Sequence, residues 1–343
     1  MKILLTGGAG YIGSHAARLL RRNGHQVVIC DNLSTGHPYL ANGFELVVGD
    51  ISDRHMLARV LPGTDAVMHL AAHAYVGESV ENPRKYFHNN AAAPLALFDA
   101  ALDAGVRFFV LSSSCAVYGM PSRIPIPEDE PRRPISPYGI SKLFCEEALE
   151  AYERAYGLRF VTLRYFNAAG ADESGEIGPL HDPETRLIPL ALAAAAGTGS
   201  PIRIFGADYE TPDGTCIRDY VHVNDLAEAH LLALLHLKNG GSSLSFNLGA
   251  GKGHSIRQVL DAVRKVTGNA VPSRLAPRRE GDPPVLVAST ARARNVLGWT
   301  PARSLDDIIF TAWNWMQCRS SILASRPWSD ARTERAWNQM AFR

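Results

Sequence analysis

The 343-residue chain is poor in cysteine, and its cysteines are not spaced for a disulfide framework or a zinc site. They number five, an odd count, and no two of them form a C-x-x-C pair. Disulfide scaffolds and structural zinc sites both depend on such spacing. The sequence therefore predicts neither a disulfide scaffold nor a metal site. The cysteines are Cys30, Cys115, Cys145, Cys216 and Cys318.

The chain also lacks an excess of charge of either sign and a long apolar run. Its 35 Lys and Arg residues nearly balance 34 Asp and Glu residues, so it has no electrostatic footprint for nucleic acid or an anionic membrane. No apolar run reaches about 18 residues, the length that a membrane span needs. The N-terminus enters a strand at Lys2, which leaves no room for a signal peptide. We therefore expect a cytoplasmic protein with small-molecule partners.

Short apolar runs alternate with helical patterns through the first half of the chain. Strands of a parallel sheet are buried on both faces and appear in a sequence as such runs. With helices expected at about 90–104 and 137–156, the pattern predicts a Rossmann-type doubly wound parallel α/β sheet. The runs are KILLTG, HQVVICD, FELVVGD, DAVMHLAA, VRFFVLSSS and RFVTLRYFN.

The pattern loosens after Asn167, where a stretch rich in Gly, Pro and charge leads into a second region. Helical patterns and short apolar runs are mixed there, which predicts a smaller α/β lobe. We assign residues 1–168 to the first domain, with segments near 206–248 returning to it, and 169–318 to the lobe. Residues 319–343 are polar and Arg-rich, and we expect a loosely attached tail. The helices expected after Asn167 are at about 187–196, 224–237, 255–267 and 304–318.

A glycine triplet follows the first strand and opens the first helix. Gly7, Gly10 and Gly13 can supply a tight turn, a close approach of backbone N–H groups to a diphosphate, and close packing of the helix on the sheet. A lone triplet is weak evidence in a chain with 29 glycines, but the strand before it and the helix after it are the context that dinucleotide binding requires. We therefore predict a dinucleotide site.

Asp31, at the end of the second strand, indicates which dinucleotide binds. A carboxylate there can accept hydrogen bonds from the ribose hydroxyls of NAD and would repel the 2′-phosphate of NADP. The NLSTG segment that follows contains no arginine for such a phosphate. NAD is therefore the predicted cofactor, although a solvated turn aspartate would look the same. Asp50 is placed to reach the adenine, and Asn89 either contacts the cofactor or caps a helix.

Tyr138 and Lys142 are four residues apart in SPYGISK. Ser136 can cap a helix and Pro137 suits its first position, so both side chains fall on one helix face. By itself this pair is also what an ordinary amphipathic helix start looks like. Ser114, however, ends a strand at the sheet edge where doubly wound folds bind ligands. Together the three indicate a hydroxyl that orients a substrate oxygen, a phenol that exchanges its proton and an ammonium that favours the phenolate.

These features resemble the extended short-chain dehydrogenase/reductase family, which has a glycine triplet and residues like Asp31, Ser114, Tyr138 and Lys142 in the same places. Within that family, the spaced motifs are most similar to those of enzymes that epimerise UDP-hexoses at C4. The similarity covers about residues 1–317. The motifs are TGGAGYIGSH, DNLSTG, VGESV, SSSCAVYG, SPYGISK, LRYFNAAGA, DGTCIRDYVHV, NLGAGKGHS and RREGD.

The resemblance implies an isomerase that keeps NAD bound and interconverts UDP-glucose and UDP-galactose through a 4-keto sugar. Tyr138 would remove the 4-hydroxyl proton, Ser114 would hydrogen-bond the same oxygen, and Lys142 with the nicotinamide would lower the phenol pKa. The implied cofactor-binding residues are Gly7, Gly10, Tyr11, Ile12, Gly13, Asp31, Asn32, Ser34, Asp50, Ile51, Leu70, Ala71, Ala72, Asn89, Ser112, Tyr138, Lys142 and Phe166. The implied substrate-binding residues are Ser114, Tyr138, Asn167, Leu187, Arg203, Phe205, Arg218, Arg279 and Asp282.

Cys115 and Ala116, which follow Ser114, argue against elimination chemistry. A 4,6-dehydratase must also expel the C6 hydroxyl, and those enzymes resemble one another in carrying an Asp-Glu pair at this point. Nucleotide-sugar decarboxylases typically carry a glutamate in this stretch. Epimerisation needs no extra acid, so the residues favour it over both alternatives.

Two positions depart from the family pattern or vary within it. Ala74 stands where well-known epimerases have a lysine near the cofactor phosphates, so that contact is missing or comes from another residue such as His73. Leu286 stands where the side-chain size affects whether an N-acetyl group fits. UDP-N-acetylglucosamine and the pentoses UDP-xylose and UDP-arabinose are therefore alternative substrates. A non-catalytic NAD-sensing protein is a further alternative, although such a protein can lose the tyrosine that is retained here.

The resemblance also implies a homodimer formed through the helices at about 90–104 and 137–156. Leu143, Phe144 and Ala148 would then lie on the second helix of that interface. The same side chains could instead pack within their own chain, and the sequence leaves both arrangements open.

Overall fold

The computed structural model describes residues 1–279 and 281–325, which form thirteen strands and ten α-helices. The strands are β1 (Lys2–Thr6), β2 (Gln26–Asp31), β3 (Glu45–Val48), β4 (Ala66–His69), β5 (Phe108–Ser114), β6 (Arg159–Tyr165), β7 (Asn167–Ala169), β8 (Ile202–Phe205), β9 (Ile217–His222), β10 (Leu244–Leu248), β11 (Gly253–Ser255), β12 (Ser273–Ala276) and β13 (Val285–Leu286). The helices are α1 (Tyr11–Arg22), α2 (Arg54–Val60), α3 (Val76–Glu81), α4 (Pro83–Phe87), α5 (Ala93–Asp103), α6 (Pro137–Tyr156), α7 (Leu187–Ala195), α8 (Val223–Lys238), α9 (Ile256–Thr267) and α10 (Leu305–Ser325).

Seven parallel strands form the large sheet, in the order β10-β6-β5-β4-β1-β2-β3. Leu4 in β1 pairs with Val28 in β2 on one side and with Val67 in β4 on the other, and all three side chains are buried. The strand order reverses between β1 and β4, which leaves a crevice at the carboxyl ends of these strands. The predicted Rossmann-type fold is confirmed.

Helices cover both faces of this sheet and bury its apolar side chains. On one face, Leu20 of α1 and Leu234 of α8 pack with Leu5. On the other, Phe98 of α5 and Leu149 of α6 belong to a second cluster that includes residues of α2. The continuous apolar runs of the sequence are therefore explained, because each central strand contributes side chains to both clusters.

The smaller lobe is built around β9, which pairs antiparallel with β11 and parallel with β7 and β13. A separate parallel pair joins β8 and β12. Three helices supply its core, in which Leu192 of α7, Val259 of α9 and Ile309 of α10 are buried together.

Three boundaries differ from the sequence-based expectation. The helix expected at about 90–104 begins at Ala93, because a π-helical turn over His88–Ala92 comes first. The chain returns to the large domain at Val223 with α8 and β10, whereas β9 belongs to the lobe. The last helix does not end near 318, because Ile322 and Leu323 pack against a buried cluster and extend it to Ser325. The rest of the expected tail, 326–343, lies outside the described residues.

Across residues 1–279 and 281–325, no helix combines the length and the apolar character that a bilayer crossing needs. In the same part of the chain, no group of three or more His, Cys, Asp or Glu side chains is arranged to hold a metal ion. The described cysteines are all free thiols.

Candidate active site

The chain turns sharply from β1 into α1, and this turn leaves no room for a side chain at Gly7 or Gly13. Gly7 has a φ of +76°, and a Cβ on it would lie 2.5 Å from the backbone nitrogen of Ala71. A Cβ on Gly13 would lie 2.2 Å from the carbonyl oxygen of Gly7. Gly10 caps α1 without a side-chain hydrogen bond, so no side chain of the cap accepts from the N–H groups of the first turn. Together with the helix dipole, these N–H groups form a site suited to an anion.

A cleft of about 1150 Å³, counting its open mouth, lies at this turn. Of the predicted cofactor residues, all but Phe166 line it. Those lining it are Gly7, Gly10, Tyr11, Ile12, Gly13, Asp31, Asn32, Ser34, Asp50, Ile51, Leu70, Ala71, Ala72, Asn89, Ser112, Tyr138 and Lys142.

Phe166 lies outside the lining because it faces the other way. It is buried in a cluster with Val117, Tyr118 and Ala288, and the preceding Tyr165 lines the cleft instead. Successive side chains of an extended chain point to opposite sides, so only one of two neighbours at the end of β6 can face the cleft. The strand alternation in RYFN is the signal that could have selected Tyr165.

Asp31 lies in the cleft with 7% of its surface exposed. Its Oδ2 accepts the N–H of Ala9 at 3.0 Å and its Oδ1 accepts the N–H of Leu33 at 2.9 Å. Burial raises the pKa of this carboxyl, and the two backbone hydrogen bonds offset part of that effect. The carboxylate is therefore held in one orientation, with lone pairs left to accept hydroxyl groups of a ligand.

Asp50 and Asn89 hold neighbouring parts of the cleft wall. Asp50 accepts hydrogen bonds from Ser52 and from Nδ2 of Asn32, which lies 2.9 Å away. Burial acts to raise the pKa of Asp50, but these hydrogen bonds outweigh it and the pKa is lowered. Asn89 sits inside the π-helical turn and donates to Oδ1 of Asn90 at 2.7 Å. Asn89 caps no helix, so the capping alternative for it is wrong.

The N-terminus of α6 delivers the tyrosine and lysine as the sequence predicts. Oγ of Ser136 accepts the N–H of Gly139 at 3.2 Å, and Pro137 occupies the first helical position. Tyr138 and Lys142 are then one turn apart, and both line the cleft with less than a tenth of their surface exposed. The helix cap thus fixes where the two functional groups emerge.

Ser114 lies beside Tyr138, close enough for its hydroxyl to act on the phenol and lower its pKa. Oγ of Ser114 also accepts the N–H of Ala116 at 3.2 Å, which orients the hydroxyl at the end of β5. Burial raises the pKa of Tyr138 to about 12, since it outweighs the effect of the Ser114 hydroxyl. Ser114 itself is not among the residues that line the cleft, whereas its neighbours Ser112 and Ser113 are.

Lys142 does not act on the phenol in the way that we expected. Its Nζ donates to the carbonyl oxygen of Ser112 at 2.9 Å, and burial lowers its pKa to about 8. Among the described residues, three effects act on the pKa of Tyr138: burial and the neighbouring Cys115 raise it, and the hydroxyl of Ser114 lowers it. The pKa is raised overall, and Lys142 is not one of the groups that act on it. A lowered phenol pKa therefore needs positive charge beyond what the folded chain itself supplies.

Replacing Lys142 by methionine is expected to change the pH dependence of stability. The pKa of Lys142 falls from 10.5 to about 8 on folding, so the unfolded chain binds more protons between these values and stability rises with pH there. Below pH 8 the buried charge costs about 3 kcal/mol, a cost that methionine does not carry. The difference in melting temperature, variant minus wild type, should fall between pH 8 and 10.5 in protein stripped of dinucleotide. A constant difference in melting temperature over that range would contradict a buried lysine with a lowered pKa.

A buried hydroxyl chain supports the floor of the cleft beside Lys142. Nδ1 of His230 lies 2.8 Å from the carbonyl oxygen of Leu226, which assigns the ring proton to that nitrogen. Nε2 therefore accepts from the Tyr165 hydroxyl, which in turn accepts from the hydroxyl of Ser112. The chain holds the Tyr165 ring and the Ser112 backbone in fixed positions. Nothing in the local sequence around His230 pointed to this role.

The predicted substrate residues of the lobe form two kinds of contact, an ion pair and cation–π contacts. The guanidinium of Arg218 pairs with the carboxylate of Asp282. The guanidinium of Arg279 lies 3.9 Å from the ring centroid of Phe205, and that of Arg203 lies 5.1 Å from the same ring. The structure thus brings into contact Phe205 and Arg279, which are 74 positions apart in the chain.

A second, more open hollow adjoins these residues. Arg279 and Asp282 line it with Tyr209 and Met120. Asn167 is exposed at the start of β7, and Leu187 begins α7, so both lie at element ends rather than in this hollow. The structure therefore places only some of the predicted substrate-binding residues around this hollow.

The model of the NAD dependent epimerase/dehydratase family matches residues 3–249, which is more than half of the chain. The chain belongs to this family. Membership confirms the predictions that it is an enzyme and that its cofactor is NAD. The match covers the whole large sheet, including β10, and ends just after it.

Curated members of the epimerase/dehydratase family are similar over nearly their full length. The UDP-glucose 4-epimerase of Streptococcus mutans is 49% identical over 321 residues, which cover 92% of this chain and 96% of that protein. The UDP-glucose 4-epimerase of Rhizobium meliloti is 49% identical over 320 residues, which cover 93% and 98%. The likeness therefore includes the lobe as well as the large sheet.

Solved epimerase structures share this architecture. The UDP-glucose 4-epimerase of Brucella ovis, in complex with NAD, has a TM-score of 0.89 and 51% identity, covering 91% of this chain and 97% of that one. The enzyme of Stenotrophomonas maltophila, with NAD and formylated UDP-arabinopyranose, has a TM-score of 0.90 and 40% identity, covering 94% and 99%.

Proposed function

We propose that this member of the epimerase/dehydratase family interconverts UDP-glucose and UDP-galactose by epimerisation at C4, with NAD kept bound. The observation that carries the proposal is that Tyr138 and Lys142 line the dinucleotide cleft, with Ser114 beside Tyr138. They offer one proton-exchanging phenol, one orienting hydroxyl and one cation, which is the set that reversible oxidation of an alcohol needs. The names of the curated relatives support the same reaction.

The residues of the cleft fit NAD on the evidence of their geometry. The glycine turn is a cradle that a Cβ on Gly7 or Gly13 would fill, and no cap side chain accepts from the N–H groups of α1. Asp31 is oriented to accept ribose hydroxyls, and no arginine lies among the residues that line the cleft. When bound, NAD⁺ would accept the hydride of the sugar carbon C4 and return it.

The proton half of the reaction belongs to Tyr138. Its oxygen would hold the 4-hydroxyl proton while the carbon is oxidised, and the hydrogen bond from Ser114 would keep the sugar oxygen in line. In the folded chain the phenol pKa is raised to about 12, chiefly by burial, which is too high for an efficient base at neutral pH. Lys142 is not among the groups that shift this pKa in the folded chain, so the positive charge that favours the phenolate would have to come from the nicotinamide of the bound cofactor.

Neither of the two residues that follow Ser114 can act as an acid or a base at neutral pH. Ala116 has no functional group, and burial raises the pKa of the Cys115 thiol to about 12, so that the thiol stays neutral at pH 7. Expulsion of the C6 hydroxyl by a dehydratase would need an acid and a base here. Since Cys115 and Ala116 provide neither an acid nor a base, these two positions favour epimerisation over elimination.

The direct test is an assay with pure sugar nucleotides. UDP-glucose, UDP-N-acetylglucosamine and UDP-xylose are incubated in turn with the purified protein, and the products are separated by chromatography. We expect UDP-galactose to form from UDP-glucose. Failure of that conversion with turnover of another sugar would assign an alternative 4-epimerase, and Leu286, which pairs with Arg218 across β13 and β9, would be the first position to vary. Bound NAD with no turnover of any sugar would support the NAD-sensing alternative.

Removing the Arg218 guanidinium is expected to weaken substrate binding. Arg218 would reach the diphosphate and Asp282 the uridine ribose, so Arg218→Ala should raise KM for the UDP-sugar at least about tenfold, the loss of a charge-assisted hydrogen bond. The NAD content should stay unchanged. Arg274→Ala, which removes an exposed arginine from β12, is the matched control. An unchanged KM in the Arg218 variant would remove this residue from the substrate site.

A homodimer through α5 and α6 is also proposed. Leu143 and Ala148 pack within their own chain, but Ile140 and Phe144 are 43% and 41% exposed on adjacent turns of α6. Phe144→Glu should therefore convert a dimer into a monomer, as measured by light scattering. Phe310→Glu, which places a charge on another exposed aromatic position, should leave the dimer intact. A monomeric wild type, or a dimeric Phe144 variant, would contradict this interface.

A further inference from the structure

Residues 180–186, called the strap here, are tied to two walls of the dinucleotide cleft. The hydroxyl of Tyr75, the residue directly before α3, donates to the carbonyl oxygen of Pro183 at 3.1 Å. On the other side, the guanidinium of Arg186 lies 5.2 Å from the ring centroid of Tyr11, the first residue of α1. Arg186 is itself paired with Glu184 within the strap. The strap is therefore an ordered part of the cleft wall.

His181 brings an imidazole of this strap to the cleft. Its ring lies edge-on to Tyr11 and Tyr75, with centroids 6.0 Å and 6.4 Å away, and it lines the same cleft as the glycine turn. Its Nδ1 is buried without a hydrogen-bond partner among residues 1–279 and 281–325. A buried polar atom without a partner costs free energy, so its retention needs a reason.

The neutral ring of His181 carries one N–H, and the buried position of Nδ1 favours Nε2 as the nitrogen that carries it. Burial and the nearby Arg186 lower the pKa to about 4, so the ring is neutral at pH 7. A neutral imidazole carries one N–H, and placing it on Nε2 leaves only a lone pair buried at Nδ1. An N–H would then be available to a ligand in the cleft.

The surrounding residues indicate an anion as that ligand. Tyr11 begins α1, where Gly10 supplies no capping side chain, so the N–H groups and the dipole of the first turn attract negative charge. Ala74 lines the same wall and has no polar side-chain atom. His73 also lines it, but its backbone is bonded to Asn90 and its ring packs 5.8 Å from that of Tyr86.

We propose that His181 donates a hydrogen bond from Nε2 to the diphosphate of the bound NAD and so slows release of the cofactor. The proposal rests on the proposed NAD-dependent function. Under this proposal, His181 of the strap makes the polar contact with the cofactor diphosphate that Ala74 cannot make. His73 does not make that contact. Because the sugar nucleotide also carries a diphosphate, the test must separate the two ligands.

The test measures NAD release from the purified holoenzyme and UDP binding to it, both independent of turnover. We expect His181→Ala to release NAD at least about tenfold faster, the effect of losing a hydrogen bond to a charged group. His181→Gln, whose amide nitrogen can donate from a similar reach, should restore most of the retention. His73→Ala should release NAD at the wild-type rate, and UDP affinity should be unchanged in all three variants.

Four outcomes overturn the proposal. If His181→Ala releases NAD at the wild-type rate, His181 makes no hydrogen bond to the cofactor. If the variant keeps NAD but binds UDP more weakly, His181 contacts the diphosphate of the substrate instead. Faster release from His73→Ala alone transfers the role to that histidine. An equal loss of melting temperature with and without added NAD shows a purely structural role. By contrast, a wild-type protein that holds no NAD would defeat the proposed function itself.

Discussion

Replacing Tyr138 by phenylalanine should slow the interconversion of UDP-glucose and UDP-galactose by at least about 100-fold, within the range that general acid–base catalysis contributes. The reason is that the change removes the proton-exchanging oxygen and little else. The ring is buried and keeps its edge-on contact with Tyr86, whose centroid is 6.4 Å away. Turnover is measured under substrate saturation, and NAD content is measured after the protein is denatured.

The NAD content of this variant should match that of the wild type. Tyr152→Phe is the matched control, because it removes a hydroxyl from the same helix where Tyr152 donates to Asp99 at 2.7 Å. Its turnover should be unchanged. Full activity in the Tyr138 variant would remove the phenol from the chemistry, and loss of NAD from it would mean that the tyrosine serves mainly to bind the cofactor.

Adding one methyl group at Gly13 should remove most of the bound NAD. A Cβ there would lie 2.2 Å from the carbonyl oxygen of Gly7, a backbone atom that cannot move away without opening the turn. Since overpacking of this kind costs about 1–3 kcal/mol and here falls on the cradle itself, Gly13→Ala should retain less than about a tenth of the bound NAD. The measurement is NAD released on denaturation, per mole of purified protein.

Gly77→Ala controls for the general effect of replacing glycine by alanine. A Cβ on Gly77 would meet no atom within 4 Å, and this glycine lies in the short helix α3. Its NAD content should equal that of the wild type. A Gly13 variant that also holds a full complement of NAD would show that the glycine turn is not the diphosphate site.

Much of the fold could be predicted because local signals and tertiary burial agree. The run ILL of β1 is apolar at every position, and the structure buries it on both faces of the sheet. The start of α6 was predictable from Ser136 and Pro137, since a cap and a first-turn proline act locally. The end of α10 was not, because Ile322 and Leu323 extend it through packing that no local pattern reveals.

The candidate site was predictable where motifs place residues on strand ends and helix starts. The glycine turn, Asp31 and Tyr138 reach the cleft in this way. Choosing between Tyr165 and Phe166 needed the direction of the strand, which a motif match does not supply. His181 is 170 positions from Tyr11 in the sequence, so only the folded chain brings the strap onto α1.

Electrostatics was the least predictable part. The four-residue spacing correctly placed Lys142 one turn from Tyr138, but it suggested that the lysine would lower the phenol pKa. In the folded chain, burial dominates both groups, raising the pKa of Tyr138 and lowering that of Lys142. Desolvation depends on how much of the protein surrounds a group, and spacing along the sequence does not contain that information.

The claim that hydride leaves C4 and returns to it is tested most directly by running the reaction in D₂O. The protein is incubated with UDP-galactose, and the UDP-glucose formed is examined by proton NMR. We predict a product that keeps a full proton signal at C4, because the hydride is carried within the active site and never exchanges with solvent. Deuterium at C4 would instead indicate removal and return of a proton, and would contradict the mechanism.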